Sequence, residues 1–246
     1  MNLLILKIAA VPCAEAGRAI YQLGDLSDDG VSKAMMHLQH QKNGTERLPL
    51  NQYQIVAISA VSIEDDSVGV QILGDEQSTE AELLVQLAEL LELVPDLVSW
   101  NGDEFDLPII GYRLLKYGIA CPAFWKRDSL QEDSIQSLDL MYELSGYSDT
   151  AMPSLSDMAK ILGLSGEMGL QSIDVLAQYQ ANNLTIIRQA CEVDALNTYL
   201  IYLKFLRTSG DLSEADYNAL NSQLRRQMVA STLTHLRQFA AVSWVE

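Results

Sequence analysis

The sequence has little positive charge. Sixteen Lys and Arg stand against 33 Asp and Glu, giving a net charge of −17 and a pI near 4.4. A chain this acidic repels phosphate on average, so non-specific binding to nucleic acid or an anionic membrane needs a local basic patch. Divalent cations held by clustered carboxylates stay compatible with it. Cysteine is scarce too. Cys13, Cys121 and Cys191 are far apart, odd in number and outside any CxxC spacing. That argues against a disulfide framework or zinc knuckle and fits a reducing, cytoplasmic setting. Of three histidines, His37 and His40 are i, i+3 and could share a metal. No third ligand accompanies them, so surface polar residues are the plain reading. No apolar run reaches the ~18 residues of a membrane span. Asn2 to Pro12 looks faintly like a signal peptide, yet it lacks a basic start and Lys7 interrupts it, so it reads as a strand. Internal repeats, low-complexity segments and flexible linkers are also lacking.

What is present is core material. Apolar residues make up 48% of the 246 and charged residues 20%. This excludes general disorder and predicts one globular domain of roughly 200 residues with elaborations. Residues 3–11 are apolar on both faces apart from Lys7, the pattern of a central, doubly covered strand ended by Pro12. Residues 15–50 are polar and partly helical, with a turn at Asn43-Gly44. Gln54 to Ser62 and Val68 to Leu73 read as a hairpin around the acidic turn Glu64-Asp65-Asp66. Thr79 and Glu82 form a capping box for a helix with the stripe Leu83, Leu84, Leu87, Leu90, Leu91, closed by Pro95. Leu97 to Trp100 is a short buried strand, Asn101 to Glu104 a loop, and Leu107 to Tyr117 a helix. Leu138 to Met141 reads as another short strand. Helices follow from Pro153-Ser154 to Leu162, stopped by Gly163, from Asn183 to Arg207, and once or twice over 212–240. Strands first and helices later predict an α/β fold, a mixed sheet with flanking helices.

Two carboxylates stand out. Asp106, in Trp100-Asn-Gly-Asp-Glu-Phe-Asp-Leu-Pro108, follows a buried strand at the entry of a helix. That position suits metal or phosphate chemistry, and it equally suits an N-cap of the 107–117 helix. Asp194 lies among apolar neighbours in Gln189 to Asn197. On a packed face it needs a partner or a metal; on a helix edge it is merely solvated.

LVSWNGDEFDLPIIGYRLLKYGI (97–119) and CEVDALNTYLIYLKF (191–205) resemble the second and third motifs of a predicted 3′–5′ exonuclease family. That family is related to the exonuclease domain of family B DNA polymerases, in the DnaQ-like, DEDD group of the ribonuclease H-like fold. Residues 17–35, 137–147 and 153–169 resemble it as well. The likeness runs over about residues 3–207, an exonuclease-like domain, and leaves 208–246 as a helical extension packed on it. The resemblance implies a ribonuclease H-like fold, a nucleic-acid substrate met by Asn101, Gly102 and Phe105, and Mg²⁺ or Mn²⁺ as cofactor. Active members are expected to hold two metals with a first-strand Asp-x-Glu and the Asp of the second and third motifs. A tyrosine four residues before the last Asp positions the attacking water. Two metals activate that water, clamp the phosphate and stabilise the leaving oxygen.

This chain departs from the pattern. Aligned with the first motif, Lys7 stands at the Asp and Ala9 at the Glu. Ala190 stands at the tyrosine, and Gln189 where a related class has His. Asp106 and Asp194 remain, the ligands of any metal that binds. An ammonium ~4 Å from a metal ion would repel it by several kcal/mol at intermediate dielectric. Carboxylates clustered without a metal repel one another, so Lys7 is expected to pair with Asp106, Asp194 or both. Snorkelling out at the strand edge is the other reading of Lys7. Acids also replace expected bases, at Asp103-Glu104, Ser165-Gly166-Glu167 and Ser172-Ile173-Asp174, which weakens phosphate contacts. Asp103, Glu104 and Glu192 are the acids that would have to rescue the site. Glu192, two residues from Asp194, points elsewhere on a helix.

The reading is an exonuclease-like protein whose two-metal hydrolysis is lost. One alternative is a non-catalytic pseudo-nuclease that binds protein or nucleic acid; the charge favours a protein partner or a second copy of the chain. Another is an exonuclease with a rebuilt metal site. An unrelated acidic helical interaction protein is the third class. Trp100 is expected in the core, and Trp244 as an interface anchor or a loose end.

Overall fold

A computed structural model describes residues 2–64, 67–93, 95–127, 134–148, 150–164 and 175–241. Five strands, β1 (Leu3–Pro12), β2 (Tyr53–Glu64), β3 (Ser67–Ile72), β4 (Asp96–Ser99) and β5 (Ser137–Asp139), form one sheet in the order β3-β2-β1-β4-β5. β1 with β2 and β2 with β3 are antiparallel; β1 with β4 and β4 with β5 are parallel. The helices are α1 (Ala14–Tyr21), α2 (Asp28–Asn43), α3 (Glu80–Leu91), α4 (Leu107–Tyr117), α5 (Pro122–Trp125), α6 (Leu140–Leu144), α7 (Leu155–Ile161), α8 (Val175–Gln180), α9 (Leu184–Ser209), α10 (Glu214–Ala230) and α11 (Thr234–Ala241). Among the described residues no helix is long and apolar enough to cross a membrane.

β1 is the middle strand, and its alternation sorts two cores. Leu4, Leu6 and Ile8 pack with Leu84 and Leu87 of α3 and Ile110 and Leu114 of α4. Leu3 and Ile5 pack with Trp100, with Leu196, Tyr199 and Leu203 of α9, and with Leu224 and Phe239 of α10 and α11. This double covering is why residues 3–11 carry no polar face apart from Lys7. α3 begins at the expected box, with Thr79 Oγ1 accepting from Glu82 N–H and the Glu82 carboxylate from Thr79 N–H. Each leucine it buries contributes about 1.5–3 kcal/mol.

Two local readings are corrected. Asn101 to Glu104 is no open loop: Gly102–Asp106 is a π-helical turn running into α4. Asn101 enters it with φ +61°, and a Cβ on Gly102 would meet Ser99 Oγ at 2.1 Å. Only glycine permits that approach. β5 ends at Asp139 and not at Met141, because the Asp139 carboxylate caps α6 by accepting from Met141 and Tyr142 N–H. α5 and α8, too short for helical periodicity to register, went unanticipated. The acids at 65–66 and Trp244 lie outside the described residues.

Candidate functional site

The site grows from a mismatch in strand length. β4 pairs with β1 only from Leu3–Asp96 to Ile5–Val98 and ends at Ser99. β1 runs on to Pro12, and the π turn folds back over its freed flank. This carries Asp106 to β1. Lys7 Nζ donates to Asp106 Oδ2 at 3.1 Å and Oδ1 at 3.3 Å, and Ile8 N–H reaches Oδ1 at 3.4 Å. The Asp106 side chain is fully buried and that of Lys7 is 19% exposed. Lys7 therefore points inward, against the snorkelling reading. Asp106 has helical backbone angles and makes no capping bond, which overturns its N-cap reading.

Lys7 lies on the α9 side of the sheet, where Asp194 is half-buried. Cys191, one turn earlier, donates its thiol to Lys7 O at 3.3 Å, and Ala9, Ala57, Ile187 and Cys191 pack together. A methyl wall thus stands where the resemblance puts a glutamate. Burial works against the Lys7 ammonium, but the charges of Asp106 and Asp194 and the bond to Asp106 outweigh it. The lysine pKa lies above its ordinary 10.5, so Lys7 is charged at neutral pH. Burial pushes the Asp106 carboxyl up, and Lys7 offsets only part of this. Burial also pushes the Cys191 thiol up.

The remaining expected residues scatter. Ala190 is half-buried on α9 and carries no hydroxyl. Asp103 and Glu104 are exposed. Glu192 is buried against His235, 2.9 Å away, and Gln189 lines a separate cleft. His37 and His40 are exposed on α2. Phe105 is half-buried: Tyr53 meets it edge-on at 5.7 Å and the Arg47 guanidinium lies 5.9 Å from its ring. Arg47 also donates to Glu104 O at 3.3 Å, so the loop before β2 covers this ring. Asn101 and Gly102 shape the turn. The segments at 165–174 lie outside the described residues.

One central residue was missed. The buried Asp139 carboxylate accepts from Asn101 N–H at 3.0 Å and Asp103 N–H at 3.2 Å, as well as from Met141 and Tyr142. It pins the π turn that presents Asp106. The available signal was an aspartate immediately before an apolar helix start.

Residues 45–243 match the family model described as a predicted 3′–5′ exonuclease related to the exonuclease domain of PolB. The chain belongs to this exonuclease family. The match starts after β1, so it does not cover Lys7 and Ala9, and it runs on into α11. Among solved structures, the family B DNA polymerase from the hyperthermophilic archaeon Pyrobaculum calidifontis is similar. Its TM-score is 0.51 at 13% identity, over 99% of this chain and 27% of the polymerase. The likeness is one of fold, a mixed ribonuclease H-like sheet with flanking helices, and this chain spans about a quarter of that structure's length. No curated protein matches the chain.

Exonucleases of this kind generally use divalent metals, and the donor set here does not fit them. The Lys7 ammonium sits on both oxygens of Asp106, Ala9 supplies no donor, and a metal on Asp106 would have to expel a fixed cation. Among the described residues no three His, Cys, Asp or Glu side chains are grouped to hold a metal ion.

Proposed function

We propose that this member of the exonuclease family no longer hydrolyses phosphodiesters by the two-metal route and acts as a non-catalytic binding protein. The observation that carries this reading is the Lys7–Asp106 ion pair, at 3.1 Å, in the place of a first-strand metal ligand. Lys7 neutralises a carboxylate that burial would otherwise leave several kcal/mol unfavourable. The site keeps its shape through an internal cation. Ala9 and Ala190 support the same reading, because each removes a polar group that the family's chemistry uses. The charge of −17 favours a protein partner or a second copy over bare nucleic acid. We take residues 1–207 as the exonuclease-like domain and 208–246 as an extension on it, since Leu224 and Phe239 share the core of Leu3 and Ile5. The buried, free cysteines fit a cytoplasmic setting.

The test is digestion of 3′-labelled single-stranded DNA and RNA with Mn²⁺ present. Full-length strands after extended incubation support the reading. Metal-dependent shortening from the 3′ end means the site has been rebuilt from other acids, and overturns it.

A further inference from the structure

The acids of this chain stop short of its last helices. Residues 217–245 hold no Asp or Glu and carry +3 through Arg225, Arg226 and Arg237, so the rest of the chain carries −20. α10 turns Leu224 and Met228 into the core. It leaves Ser222, Arg225, Arg226, Val229 and Ala230 outside, at the spacing of one helix face. A hollow of about 400 Å³ lies over this face, and Val229 is 59% exposed. Among the described residues Arg225 and Arg226 make no hydrogen bond or ion pair. The other seven arginines each hold a carboxylate or a backbone carbonyl. In a chain with twice as many acids as bases, two adjacent guanidinium groups are thus left without an anion.

α3 carries the complementary face. It buries Leu84, Leu87 and Leu91, while Val85, Glu89 and, at its end, Glu92 and Leu93 stay outside. Leu93 is 56% exposed, and among the described residues neither glutamate makes a hydrogen bond or ion pair. Each face therefore sets two free charges of one sign beside two apolar side chains. α3 packs on the side of β1 that carries Leu4, Leu6 and Ile8, and α10 on the side that carries Leu3 and Ile5. The outer faces point away from each other and cannot meet within one chain.

We infer that α10 of one copy docks on α3 of a second copy, with Arg225 and Arg226 against Glu89 and Glu92 and the apolar side chains beside them. Two α10 faces would bring four arginines together, and two α3 faces four glutamates, so like charges exclude both symmetric pairings. The contact is head-to-tail and builds rings or open chains. The net charge of −17 does not forbid it: at physiological ionic strength exposed charges beyond about 8 Å are screened, and complementarity at contact range decides. A guanidinium suits such a contact, because its planar fork matches a carboxylate and it is more weakly hydrated than an ammonium. The inference deepens the reading of a binding protein by naming the partner. It uses neither Lys7 nor Asp106, so association and loss of digestion can fail separately.

The experiment is sedimentation velocity of the full chain at physiological ionic strength, from about 1 μM to about 1 mM. The mass should rise with concentration. Charge reversal by Arg225→Glu with Arg226→Glu should weaken association about tenfold or more, and so should Glu89→Lys with Glu92→Lys. All four positions are exposed, and circular dichroism checks that each variant is folded. Mixing the two variants should restore association, because the acidic α3 of one then meets the basic α10 of the other. That rescue separates docking from damage to either chain. A natural chain that stays monomeric overturns the inference and leaves the α10 face to a different acidic partner. Association unchanged by either reversal, or a mixture no tighter than its separate components, overturns it as well.

Discussion

Two buried ion pairs flank the same sheet and differ in how completely each is closed. Arg113 of α4 meets Glu80 of α3 through Nε at 2.7 Å and Nη2 at 2.5 Å, with side chains 4% and 9% exposed. Glu80 also accepts from Ile55 N–H at 2.6 Å and from Tyr117 OH at 2.9 Å. One cation and four donors satisfy one carboxylate. Around Lys7 the balance is reversed: one ammonium serves Asp106 directly and feels Asp194 as well. A carboxylate with every lone pair occupied is architecture. The Lys7 ammonium lies in the field of two aspartates at once. The difference teaches that burial alone is a weak guide to an ion pair's role: at Glu80 one carboxylate gathers four hydrogen bonds, while at Lys7 one cation answers to two carboxylates.

The largest effect expected is at the closed pair. Arg113→Met should cost about 3–5 kcal/mol in urea unfolding, because Glu80 is left buried without its cation. A loss below about 1 kcal/mol would erase the contrast. Lys7→Met should cost less, about 1–3 kcal/mol, since that side chain is partly exposed and the cluster can admit water. The sharper distinction is rescue. Mn²⁺ should restore stability to Lys7→Met, where two aspartates lose their internal cation, and do nothing for Arg113→Met.

The pH dependence gives a third separation. The Lys7 pKa is raised by folding, so its stabilising contribution is complete below 10.5 and fades as pH rises through the folded value. Above pH 10.5, thermal melting of the natural chain should fall more steeply than that of Lys7→Met. Parallel curves would contradict the pairing. The smallest effect is Arg47→Ala, which uncovers Phe105. It should cost about 0.5 kcal/mol or less in thermal melting, the scale of an exposed cation–π contact.

These comparisons also show what the sequence could say. The capping box at Thr79 and Glu82, the β2–β3 hairpin and the doubly covered β1 were legible, because each is written in neighbouring residues. The Lys7–Asp106 pair was legible for another reason. The resemblance supplied a carboxylate cluster, and a lysine inside it has few other uses. The Arg113–Glu80 closure was not legible, since Glu80 reads as an ordinary first-turn acid of α3 and its partner is 33 residues away. Asp139 was quoted within a motif, yet its hold on Asn101 and Asp103 depends on β4 and β5 lying side by side. The π turn escaped because a single five-residue turn is too short for helical spacing to register.

The central claim is that the Lys7 ammonium occupies the role of a metal. The most direct measurement is the melting temperature against Mn²⁺ for the natural chain and for a Lys7→Asp, Ala9→Glu variant. The account predicts a flat curve for the natural chain and a rising one for the variant, reaching about 2.7 kcal/mol of stabilisation at a hundredfold excess over Kd. A natural chain that melts higher with Mn²⁺, as steeply as the variant, would contradict it.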